Sequence, residues 1–185
     1  MPTYDKADLQ RRMHGAVEVL KNDLGGLRTG RASTALLDRI SVDYYGTKTP
    51  LNQLASITVP DARLLLVTPY DKSAMREIER ALMESDLGIT PGNDGKVIRL
   101  PIPALTEERR KDMVKIAHRI AEEGRVAVRN VRRDANNHLK DLLKQKKVAE
   151  DEERRAQDDV QKLTDRHIAE IDKALAAKEA DLKAV

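Results

Sequence analysis

Apolar residues recur at Leu9, Met13, Val17, Leu20, Leu24 and Leu27, every third or fourth position, so the sequence predicts an amphipathic helix over about residues 4–29. Gly30 is expected to stop it, because glycine accepts the left-handed backbone that ends many helices. Gly25 and Gly26 weaken its last turns, each by roughly 1 kcal/mol relative to alanine. Beyond Gly30 the pattern changes to alternation at Ile40, Val42 and Tyr44, followed by a turn over Gly46-Thr47-Lys48-Thr49-Pro50. Extended runs follow at 55–59 and 63–68. A short helix is expected over 73–85, with Ser73 as its cap and Met75, Ile78 and Leu82 on one face; then come a loop at 90–95 and a last strand at 97–100.

Helical spacing returns after Pro101-Ile102-Pro103. Thr106 is placed to cap a second long helix, and Glu107 and Glu108 occupy its first turn, where carboxylates favour the positive end of the dipole. Its apolar stripe runs from Met113 through Ala117, Ile120, Gly124, Ala127, Val131, Ala135 and Leu139 to Leu142. A helix over 107–146 would be about 60 Å long at 1.5 Å per residue. A third helix, 150–184, carries Val160, Leu163, Ile168, Ile171, Leu175 and Leu182. Three stripes require mutual burial. The expected fold is therefore α+β: an elongated three-helix bundle built from residues 1–30 and 105–185, with a small α/β domain, 31–104, inserted between the first and second helices. The chain crosses between domains at Thr29, Gly30, Arg31 and Ala32 and again at Pro103, Ala104, Leu105 and Thr106. Such a pair of crossings suits a hinge or a rigid joint.

Composition removes several classes of chemistry. Cysteine, phenylalanine and tryptophan are absent, so there is no disulfide or thiolate site and little from which to build a base-stacking platform. His14, His118, His138 and His167 show no metal-ligand spacing and are expected at the surface or in helix seams. No glycine-rich phosphate loop or nucleophile elbow occurs, and Asp158-Asp159 lies on a charged helix where a perturbed carboxylate is not expected; no enzyme activity and no cofactor are expected. No run reaches the ~18 apolar residues of a membrane span, and the first ten residues lack the apolar core of a signal peptide. A cytoplasmic protein that binds no membrane is the expectation.

Charge is distributed unevenly. Residues 119–147 hold nine Lys or Arg against four Asp or Glu, whereas 150–185 hold seven against eleven, so the second and third helices attract as antiparallel neighbours. With Val128 at zero on a helical wheel, the apolar face centres at about 330–340°, and Arg132, Arg125, Arg129 and Arg133 fall at about 40°, 60°, 100° and 140°. Asn136 shares that sector. These arginines form either a solvated helix face or a phosphate-binding edge. Planar guanidinium forks favour phosphate, and the exposed cations further along, Lys140, Lys144, Lys146 and Lys147, are lysines.

Several strings are more specific: Arg28-Thr29-Gly30-Arg31-Ala32-Ser33, then LTEERRK at 105–111, VAVRNVRRDA at 126–135 and QDDVQKLTD at 157–165. In that order they resemble the bacterial ribosome recycling factors, and the resemblance extends along essentially the whole chain. It implies an L-shaped, monomeric, two-domain protein that binds the ribosome through large-subunit rRNA. It also implies work with elongation factor G and GTP to separate the subunits after peptide release, with the nucleotide used by the partner. The positions matching the family's rRNA contacts are Arg28, Arg31, Arg129, Arg132 and Arg133, Arg132 first among them, and Arg125 continues the stripe. The junction residues would then be the hinge. Lys48, where the family often has proline, and Gly25-Gly26 depart from the family pattern. The alternative is an RNA-binding structural or chaperone module without recycling activity.

Overall fold

The computed structural model describes residues 4–184. By backbone proximity the chain forms two compact units, one holding the described residues up to Leu24 together with those from Val114 onward, the other Gly25–Met113.

The first unit is built from three long helices: α1 (Lys6–Gly25), most of α4 (Glu107–Lys144) and α5 (Glu150–Lys183). Asp5 opens α1 by accepting the Ala7 N–H at 2.9 Å. The buried positions of α1, namely Leu9, Met13, Val17, Leu20 and Leu24, follow the apolar spacing, but the helix ends at Gly25 rather than running on to Gly30. Two successive glycines gain too little from helical backbone to continue it. On α4 the buried residues are small where α1 approaches: a Cβ on Gly124 would lie 2.3 Å from Leu20 Cδ1. Arg12 of α1 bonds Asp134 of α4 at 3.1 Å; with Leu20 against Gly124, the contacts run in opposite order along the two helices, which are antiparallel. His167 is 1% exposed, with its Nδ1 2.7 Å from the Leu163 carbonyl, so this histidine is satisfied by its own helix.

The turn between α4 and α5 stops α4 short of 146. The Lys147 N–H bonds the Leu142 carbonyl and the Lys146 N–H that of Leu143, both at 2.9 Å, with Lys146 left-handed at φ 56°. Ala149 then begins α5. Its N–H donates to Glu152 Oε2 at 3.2 Å, but alanine has no oxygen to return a bond to the helix's first turn. Ala149→Ser, which completes that reciprocal pair, is expected to raise stability by roughly 1 kcal/mol, read as a higher midpoint in thermal unfolding. An unchanged or lower midpoint would contradict it.

In the second unit, Ser41–Tyr44 (β1) and Thr47–Pro50 (β2) form a hairpin, so the segment expected as a long turn is mostly the returning strand. The turn proper is Tyr45-Gly46, both left-handed at φ 49° and 78°, as a two-residue connection requires. Lys48 lies within β2, opposite Asp43 across the hairpin. After one helical turn, α2 (Leu51–Leu54), come β3 (Ala55–Asp61), β4 (Leu64–Pro69), α3 (Met75–Glu84), β5 (Gly92–Asn93) and β6 (Ile98–Pro101). The four strands pair antiparallel in the order β3-β4-β6-β5. Leu65 and Val67 face Leu100 and Ile98 across the ladder, and α3 adds Met75, Ile78 and Leu82 to the same core. The cap ahead of α3 is Asp71 rather than Ser73. Its carboxylate accepts the Ser73 N–H and the Tyr44 hydroxyl, both at 2.9 Å, and these bonds, those from Ser73 foremost, hold its pKa below the usual carboxylate value.

Candidate nucleic-acid interface

Helices α4 and α5 meet along a polar seam. His118 of α4 bonds Glu179 of α5; seven residues further along α4 and seven back along α5, Arg125 bonds Asp172 through Nε at 2.9 Å and Nη2 at 2.7 Å. Arg125 also donates to Glu122 Oε2 at 3.0 Å, and only a fifth of its side chain is exposed. The bond to Asp172 foremost, opposed by burial, pushes its pKa above the usual arginine value. Glu122 accepts a second guanidinium, that of Arg129, at 3.1 Å, and the bonds from Arg125 and then Arg129 lower its pKa. Two arginines of the stripe are thus held by one ionised carboxylate on their own helix.

Arg132 and Arg133 differ. Neither has a carboxylate within ion-pair distance among the described residues; Arg133 is exposed and Arg132 half-buried on a rigid helix. Asn136, one turn further on, has a buried Oδ1 with no hydrogen-bond partner among the described residues. The stripe is graded: Arg125 is neutralised at one end, and Arg132 and Arg133 carry uncompensated charge at the other.

Arg28 and Arg31 belong to the second unit. Arg28 is half-buried with its guanidinium laid against Gly88, where a Cβ would fall 3.0 Å from Nη2; Arg31 is exposed. A shallow depression there is lined by residues 28–31, Ile102 and Pro103 among others. Gly30 is left-handed at φ 78°, and a Cβ there would come within 3.3 Å of the Leu105 backbone nitrogen, so the two crossing segments run in contact. Thr106 accepts the Arg109 N–H at 3.2 Å, the cap its position predicts. Among the described residues no three His, Cys, Asp or Glu are grouped to hold a metal ion, and no helix is long and apolar enough to cross a membrane.

Residues 20–182 match the family model described as ribosome recycling factor. The chain belongs to the ribosome recycling factor family. It is 59% identical over 177 residues to the ribosome-recycling factor of Shouchella clausii, covering 96% of both chains, and 56% identical over 180 residues to that of Nitrosospira multiformis, covering 97% of both. A solution structure of ribosome recycling factor matches with a TM-score of 0.80 and 45% identity over 97% of this chain and 95% of the other. Another match, at TM-score 0.69 and 47% identity over 96% of each, comes from models for the T. thermophilus ribosome recycling factor and the E. coli elongation factor G bound to the E. coli post-termination complex.

Within this ribosome recycling factor fold, sequence reasoning found the arginines but missed their carboxylates, Glu122 and Asp172. The signal was present as spacing: His118, Arg125 and Arg132 are seven apart on one helix, as are Asp165, Asp172 and Glu179 on the other.

Proposed function

We propose that this chain binds the post-termination ribosome and, with elongation factor G and GTP, promotes its dissociation into subunits, freeing mRNA and tRNA for another round. Large-subunit rRNA is the surface it grips. The observation that carries this reading is the uncompensated pair Arg132–Arg133 on α4 in a chain of this family. Arg129 flanks them, Arg125 braces the edge against α5, and Arg28 and Arg31 add contacts from the second unit. Guanidinium forks on a long rigid helix meet phosphate oxygens in pairs and lose little freedom in doing so. The residues 29–32 and 103–106 serve as the hinge.

The chain does no bond chemistry in this scheme. GTP is hydrolysed by the partner, the recycling factor needs no cofactor of its own, and it works as a monomer in the cytoplasm. Light scattering from purified bacterial post-termination complexes is expected to drop when this protein, elongation factor G and GTP are all present, and to hold steady when any one is omitted. Splitting without the translocase or GTP, or none with all three, would count against the proposal.

A further inference from the structure

The α4/α5 seam is a ladder with one rung open. His118–Glu179 and Arg125–Asp172 are closed, and the same seven-residue step places Arg132 opposite Asp165. That third rung is not made. Asp165 Oδ1 instead accepts from Gln161 Nε2 at 2.8 Å, one turn earlier on α5, and Arg132 is without a carboxylate partner among the described residues.

We propose that Gln161 holds Asp165 back from Arg132 and thereby keeps the Arg132 charge available to a phosphate. Gln161 is a positioning residue for the rRNA contact, and Asp165 is a built-in competitor for the same guanidinium. The contrast within one seam carries the inference: Arg125, whose facing carboxylate is not held by a glutamine, is bound across the seam through two nitrogens. The neighbours confine the switch to this pair. Leu163, Thr164 and His167 are buried, and Thr164 is bonded to the Val160 carbonyl, so neither hydroxyl nor imidazole substitutes for the missing carboxylate. The inference rests on Arg132 contacting rRNA.

The test uses the full chain and purified bacterial ribosomes, with affinity measured at fixed salt. Gln161→Ala frees Asp165 to close the rung and is expected to weaken binding about twofold to fivefold, the scale of an exposed ion pair that must first be broken. Asp165→Asn is expected to bind as tightly as the parent or tighter, and Gln161→Ala with Asp165→Asn to return to the parent value. A second readout does not involve ribosomes: hydrogen exchange at the Arg132 Nε–H is expected to slow in Gln161→Ala and to recover in the double variant. Both substitutions lie on exposed helical positions, so circular dichroism is expected to be unchanged. If Arg132→Ala weakens binding while Gln161→Ala matches the parent in both readouts, this inference alone is overturned. If Arg132→Ala has no effect, the rRNA assignment fails with it.

Discussion

Gly124→Val is expected to destabilise the helical unit by about 3 kcal/mol, the upper range of overpacking in a filled core. The first added carbon falls 2.3 Å from Leu20 Cδ1 and 3.3 Å from Leu20 Cβ. Leu20 is 2% exposed, so its side chain has nowhere to swing, and the helices α1 and α4 must separate instead. Gly15 supplies the control. It lies on α1 with nothing within 4 Å of an added Cβ, so Gly15→Ala is expected to stabilise by roughly 1 kcal/mol through helix propensity alone. Urea unfolding followed by circular dichroism distinguishes the two sites. A Gly124 variant as stable as the parent would mean that α1 and α4 are not in close contact there.

The long helices were legible because each carries a stripe over many turns: Leu9 to Leu24 are buried at the expected spacing, and so are most stripe positions from Ala117 to Leu142 and from Val160 to Leu182. Ile120 and Ile168 are only half-buried, while Ala121, Val128, Thr164 and His167 are buried beside them. Boundaries were less legible where two local signals competed. Gly25-Gly26 and Gly30 both read as stops, and backbone cost favoured the first pair, while Gly30 kept its left-handed conformation within the connection. The hairpin turn was obscured because a tyrosine, Tyr45, occupies a left-handed position that asparagine or glycine usually fills.

The candidate site was legible in its cations and illegible in their pairing. A helical wheel places Arg125, Arg129, Arg132 and Arg133 on one flank, but not the register of α5. That register is fixed by the turn at Lys146 and by the buried stripes, and it brings Asp172, 47 positions away, onto Arg125. Only with that register known does the stripe divide into arginines that are neutralised and arginines that are not.

Arg132→Ala is the second large effect expected. Losing the proposed charge-assisted bond to phosphate, worth roughly 1.5–3 kcal/mol, is expected to weaken ribosome binding by about ten- to a hundredfold. The fold is not expected to change, since Arg132 makes no intramolecular ion pair among the described residues and alanine favours helix. Arg125→Ala behaves differently, because it removes the Asp172 and Glu122 bonds and lowers stability along with affinity.

The claim that Arg132 anchors the chain through phosphate is tested most directly by the salt dependence of ribosome binding, parent against Arg132→Ala. The logarithm of affinity falls with the logarithm of salt concentration in both, and the variant's slope is expected to be shallower by about one, the release of one phosphate's counterion. Parallel lines of equal height would contradict the account.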